Sequence, residues 1–319
     1  MKIWLKLSMA TLLLAALVAP SIAQDSKAEE RTFLVKEKHE KGVKVREEHE
    51  ESQETKVALE DGTVVETTTK TETETQVTEI LAVSAEGKVS QGRVSWPKGT
   101  QVVEVVKLGE EPADPVEMDI ERKGASILYT FNAETKKWEA KLEKGDEELD
   151  DVKKALKKAE PFANPFIPGR EVKLGESWDA DKDILKTMFA SDESIELKEA
   201  TGTCKAEEVV KEGELELLRI SFEMKISGKL KDENIGTPDL AGVNKGSIFW
   251  NCKEGRAERI EMENSAEFVA TVQHPQLGAL KLTITISGSA SAKFSYGKVS
   301  DKEEEKEEKD EKEEDGMDG

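Results

Sequence analysis

Histidine, cysteine and aromatic residues are all scarce in this sequence, and each scarcity narrows the chemistry open to it. The three histidines, His39, His49 and His274, show no metal-ligand spacing, and the first two would lie roughly 33 Å apart along one strand. That leaves few candidates for general-base catalysis by histidine. Cys204 and Cys252 have no histidine near them in sequence and make a poor zinc site. In an oxidising compartment the pair is a candidate disulfide, closing a loop of about 49 residues worth roughly 4 kcal/mol in the chain-entropy view. The other reading is two buried thiols that never meet. Phosphate-loop, nucleophile-elbow and calcium-loop signatures are also missing. The glycines from Gly87 to Gly92 lack the Lys-Ser/Thr pair, and Ser287-Gly288-Ser289-Ala290 lacks the Gly-x-Ser-x-Gly order. No cofactor, metal or catalytic residue is nominated, because each glutamate has dozens of equal competitors.

The one long apolar run, Leu7 to Val18, follows Lys2 and Lys6 and precedes the small-x-small site Ser21-Ile22-Ala23, the pattern of an export signal. It is roughly a dozen residues long, short of the ~20 that span a bilayer. The expected product is an exported chain, periplasmic or extracellular, starting near Gln24 with no transmembrane segment. Its formal charge of −21 becomes −23 once Lys2 and Lys6 are lost. Such acidity repels nucleic acid and anionic membrane.

What remains is strand pattern. From Arg31 to Val83 the chain reads as one long hairpin turning at Glu60-Asp61-Gly62-Thr63, with Val45 facing Thr78 and Val43 facing Ile80. Thr67, Thr69, Thr71, Thr73 and Thr75 alternate with Glu and Lys, so the middle of this ribbon reads as solvated on at least one side. Strands are predicted at 88–94, 101–107, 116–120, 126–131 and 136–142, with Trp96-Pro97-Lys98-Gly99 as a loop between the first two. A helix is predicted over 146–159, with Leu149, Val152 and Leu156 as its apolar stripe.

The stretch from Asn164 to Asp181 divides the chain. Pro165, Pro168 and Gly169 forbid a helix, and Trp178 reads as the anchor that docks the connection onto a core. A short helix follows at 181–189. The later strands alternate cleanly, with Leu218, Ile220, Phe222, Met224 and Ile226 on one face, and likewise Leu280, Leu282, Ile284 and Ile286. Lys302 to Asp318 is nearly all Glu, Asp and Lys and is expected to be a disordered acidic tail. The expected class is therefore mainly β (α+β), with two antiparallel, curved, one-sided sheet halves. The expected divisions are a signal at 1–23, halves at 24–163 and 164–299, and a tail at 300–319.

The segment Pro168-Gly-Arg-Glu-Val-Lys-Leu-Gly-Glu-Ser-Trp178 resembles the mid-chain element of a family of exported bacterial β-rich proteins that has no established activity. Lys245-Gly-Ser-Ile-Phe-Trp-Asn-Cys-Lys-Glu-Gly-Arg256 is similar to that family's strand ending in a Gly-Arg turn, with Asn251 where an aspartate is usual. The likeness covers about half of the chain. It implies export and a two-part β architecture, and nothing catalytic.

Three functional readings follow. The first is a non-enzymatic exported protein that binds or scaffolds an envelope component, with an apolar-ligand carrier as its specific form. The second is a carboxylate-based hydrolase of envelope polymers, requiring two acids within roughly 5–10 Å and one raised pKa. The third is cation or surface binding through the acidic ribbon and tail.

Overall fold

A strand with one dry face must cover that face, and a long antiparallel sheet can do so by curving over it. The computed structural model describes residues 31–190, 194–231, 237–274 and 278–298. The expected signal and tail lie outside the described residues. The chain is mainly β, with antiparallel sheets that curve without closing.

In chain order, β1 (Thr32–Val35) precedes a long hairpin of β2 (Val43–Leu59) and β3 (Val64–Val83). Then come β4 (Val89–Lys107), β5 (Val116–Asp119), β6 (Ser126–Asn132), β7 (Lys137–Lys144) and α1 (Asp150–Leu156). The connection holds β8 (Arg170–Lys173) and β9 (Ser177–Asp179) and leads into α2 (Lys182–Ala190). Five long strands finish the fold: β10 (Ile195–Glu212), β11 (Leu215–Leu230), β12 (Asp239–Asn251), β13 (Arg256–His274) and β14 (Gly278–Lys298). One 12-stranded sheet runs β7-β6-β4-β3-β2-β14-β13-β12-β11-β10-β9, with β5 alongside β4, while β1 and β8 form a separate pair. The two halves are thus wings of a single sheet, joined where β2 meets β14 from Val43↔Lys298 to Leu59↔Leu282.

Each wing has its own core on the concave side. In the wing of β10 to β14, Ile220, Phe222, Ile248, Met262 and Ile284 are buried with Leu185 and Phe189 of α2 in one cluster. Asp181 starts α2, its Oδ1 accepting the N–H groups of Asp183 and Ile184 at 2.9 and 3.0 Å. Trp178 is buried, and its Nε1–H donates to the Phe166 carbonyl at 3.0 Å. Phe166 in turn stacks on Phe222, with ring centroids 4.3 Å apart. The other wing has a smaller core of Val94, Trp96, Ile127 and Tyr129 under Val152 and Ala155 of α1, and Tyr129 Oη–H donates to the Ala155 carbonyl.

Several expectations need correcting. The hairpin starts at Val43, since β1 leaves it to pair with β8. Its register is Val45↔Thr78 as read from the pattern, with a bulge near the turn between Val57 and Ala58. β4 runs unbroken through Pro97, because there it changes neighbour from β6 to β5 and needs no donor from that residue. A shift opposite Thr75 and Val77 absorbs the extra length. α1 begins four residues later than expected, the chain before it forming an Asx turn in which Asp146 Oδ1 accepts the Glu148 N–H.

The expected disulfide is not formed, and both thiols are free. Cys204 sits opposite Phe222, which sits opposite Gly246; Cys252 lies six residues past Gly246. Two strand spacings and about 20 Å along the strand therefore separate them, against a Cα limit of ~7 Å for a bridge. Burial raises the Cys204 thiol to about 12 and the Cys252 thiol to about 11, so neither is a ready nucleophile at neutral pH.

Candidate functional site

Cross-strand partners share a face, so the register fixes which side chains line the concave side. On β2 these are Val45, Glu47, His49, Glu51 and Gln53; opposite them on β3 stand Thr78, Gln76, Glu74, Glu72 and Lys70. The threonines from Thr67 to Thr75 take the other face, and the acids between them turn inward. Glu72 and Glu74 are only 9% and 8% exposed. The middle of the ribbon is therefore solvated on its threonine face, as the pattern suggested, with Thr71 and Thr73 exposed, while its other face is a charged belt laid against the inside of the sheet.

Buried carboxylates require partners. Arg122 reaches in from the β5–β6 loop, donating from Nε to Glu74 at 2.5 Å, with Nη2 3.6 Å from Glu72. Lys70 Nζ lies 2.6 Å from Glu72, and Gln76 donates to Glu47 at 3.3 Å. His49 Nε2 is 3.6 Å from Glu51. Burial pushes the Glu47 carboxyl up; His49 opposes this and Glu74 adds to it. His49 is itself raised, since the hydrogen bond to Glu51 and the charges of Glu47, Glu51 and Glu74 outweigh its burial. Lys158, just beyond α1, keeps contact with solvent yet has enough protein around it to lower its ammonium pKa, with Arg122 adding repulsion. Among the described residues no group of His, Cys, Asp and Glu forms a metal site.

At the base of the same face the belt gives way to a recess of about 490 Å³. Its floor is apolar, from Val43 and Val45 on β2, Ile80 on β3, Ile260 on β13 and Phe294 on β14. Phe294 stands directly opposite Glu47, so floor and belt are contiguous along the seam. One side is built by the β12–β13 turn. Asn251 Oδ1 accepts the Glu254 N–H at 3.1 Å, and Gly255 takes φ +68°. The segment before β2 docks onto this turn, with Lys38 N–H donating to the Gly255 carbonyl and Lys38 Nζ to that of Lys253, at 2.9 and 2.6 Å. A side chain at Gly255 would collide with Lys38 and with the Lys36 carbonyl, so this docking depends on glycine. Tyr296 is held in the wall by donating to the Ala257 carbonyl, with Arg256 4.0 Å above its ring.

Trp250 also lines the recess. It is 1% exposed, and its indole N–H has no hydrogen-bond partner. Cys204, Cys252 and Trp178 line neither the recess nor the belt. Sequence reading singled out none of the recess residues for binding. The hairpin register gave the cross-strand pairs but not which face of the middle of β2 and β3 turns inward, and the recess needed the β2–β14 pairing.

No family model matches the chain, and no curated protein matches it. Two solved structures show distant likeness. One, described as lipid-protein interactions in lipovitellin, has 5% identity and a TM-score of 0.42; the match covers 82% of this chain and 26% of that one. The chain thus spans about a quarter of that protein's length. The other, an outer membrane channel from Pseudomonas putida F1, has 9% identity and a TM-score of 0.21 over 86% of this chain and 100% of that one. Neither superposes well enough to identify a fold or a function. Among the described residues no helix is long and apolar enough to cross a membrane.

Proposed function

We propose that the protein is an exported, non-enzymatic binding protein of the cell envelope that holds a small apolar-bodied ligand in the recess at the base of the seam. The observation that carries this reading is the recess itself, with an apolar floor, polar and charged walls of both signs and a volume of about 490 Å³, inside the usual range for small-molecule sites. Elsewhere on the concave face of the β10–β14 wing, apolar side chains are packed against one another in one cluster. The test is extraction of protein purified from its native compartment, followed by mass spectrometry. One class of apolar-bodied molecule at near-equimolar amount is expected. Protein that emerges empty and leaves a fluorescent apolar probe such as anilinonaphthalene sulfonate unbound would refute the proposal.

The hydrolase reading has one observation in its favour, the raised pKa of Glu47 with Glu74 nearby. Against it, Arg122 holds Glu74 and Gln76 holds Glu47, so both carboxylates are already engaged. Hydrolysis of an envelope polysaccharide by the wild type, abolished in Glu47→Gln, would revive it.

A further inference from the structure

Lys36 to Gly42 joins β1 to β2 with the sequence Lys-Glu-Lys-His-Glu-Lys-Gly, which has no apolar side chain, and none of these residues is buried. Its ends are fixed. Val35 is fully buried in the large apolar cluster, and the Gly42 N–H donates to the Ile80 carbonyl at 2.7 Å as β2 begins. Between those points, the hydrogen bonds that tie the segment to the rest of the protein, among the described residues, are the two from Lys38 to the Gly255 turn. The Glu37–His39 ion pair lies within the segment and adds no tie outside it. Yet Glu37, Lys38, His39 and Glu40 all line the recess. A segment held by two hydrogen bonds and no buried side chain belongs to the low end of local stability, whereas the floor beside it is part of a continuous strand ladder.

Resting on the binding reading above, we propose that residues 36–42 are a strap that forms the movable wall of the recess. Docked on the Gly255 turn, the strap completes the site, and a molecule that touches both strap and floor holds it docked. Opening uncovers no apolar side chain of the strap itself, so the balance rests on the Lys38 bonds and a ligand's contacts can shift it. Docking also requires the missing side chain at Gly255, where an added Cβ would lie 2.6 Å from Lys38 Cγ and 2.8 Å from the Lys36 carbonyl oxygen. The coupling is reciprocal: what the ligand gains from the docked strap, the strap gains from the ligand.

The experiment uses the full mature chain. Amide hydrogen exchange is followed by NMR in the wild type, Gly255→Ala and Gly213→Ala, with and without anilinonaphthalene sulfonate. Gly213, in the β10–β11 turn, also has a positive φ (+59°) but nothing within 4 Å of the added carbon, so its variant controls for backbone strain. In the wild type the Lys38 amide should be protected only about 10- to 100-fold, far less than amides in the middle of β2. Probe at about ten times its Kd should slow Lys38 exchange about 10-fold, as binding to the docked state alone requires. Gly255→Ala should abolish that protection and weaken the probe about 10-fold, and Gly213→Ala should change neither. If Gly255→Ala does not fold, wild-type exchange with and without probe still decides. The strap is wrong, while the recess remains a binding site, if Lys38 exchanges as slowly as the middle of β2, if the probe binds without slowing it, or if folded Gly255→Ala binds the probe as the wild type does. If the wild type does not bind the probe at all, the recess reading itself is undercut and the strap loses its role with it.

Discussion

The two wings share one backbone plan and differ in what they turn inward. On the β10–β14 side the inner face is Ile, Phe, Met, Leu and Ala, buried as a single cluster. On β2 and β3 the inner face is Glu47, His49, Glu51, Glu72 and Glu74, answered by Arg122 and Lys70, and only beyond them, from β4 to β7, does that wing close over its own small apolar cluster. At the seam the change occurs within one register pair: Ala292 of β14 faces His49, and Ala290 faces Glu51. Strand geometry dictates only that alternate residues share a face, and either a dry layer or a fully paired ionic layer can occupy it. The dry layer supplies stability. The ionic layer breaks roughly even and is sensitive to the loss of any one partner.

Substitutions should expose that difference, the dry wing failing hardest. Phe222→Ala removes a ring that is 4% exposed and stacked on Phe166, and should lower unfolding free energy by about 4 kcal/mol, read as a shifted urea midpoint at unchanged slope. Arg122→Met leaves Glu72 and Glu74 with less compensation. Because Arg122 remains 28% exposed, the expected loss is about 2–3 kcal/mol, and adding Glu74→Gln should restore part of it. A loss no greater than that of an exposed pair would show that the belt is wetter than its exposures indicate. At the seam, a Cβ on Gly288 would lie 2.5 Å from the Ser52 carbonyl, so Gly288→Ala should cost about 1–2 kcal/mol by pushing the wings apart.

The smallest effect concerns pH. Glu47 and His49 both hold their protons more tightly folded than unfolded, so each contributes stability that is complete below its ordinary value, 4.5 or 6.5. That contribution is lost as pH rises through the higher folded value. Melting temperatures measured from pH 5 to 8 should therefore fall less steeply in Glu47→Gln and in His49→Gln than in the wild type. Equal slopes in all three would contradict the raised values of this pair, which come from burial at Glu47 and from the surrounding carboxylates at His49.

Much of the fold was legible because local chemistry determines it. The alternation in β11, β13 and β14 gave those strands and their inner faces, and Asp61-Gly62 fixed the hairpin register to within one bulge. Pro97 misled because a proline breaks a ladder only where its missing donor is needed. The inward turn of Glu72 and Glu74 was hidden for another reason: threonine and glutamate are equally at home on a wet strand, and only the arrival of Arg122, 48 residues away, makes the glutamate face the inner one. The recess depends on two contacts with no sequence signature, the β2–β14 seam and the docking of Lys38 onto the Gly255 turn. Trp250 entered the sequence reading only as part of the Lys245–Arg256 motif, since nothing in a sequence reveals a donor left without an acceptor.

The seam also bears on how the protein reaches its final state. Its innermost strands come from opposite ends of the described chain, Leu59 meeting Leu282 across about 220 residues, so this pairing carries the largest loop-closure cost in the sheet. Each wing is a run of hairpins between neighbours in sequence and can assemble while the rest is still unstructured, but until β14 arrives β2 presents an unpaired edge. Zipping the two ends together is therefore the step that contact order predicts to be slowest, and the charges along β2 guard its edge against wrong partners until β14 arrives.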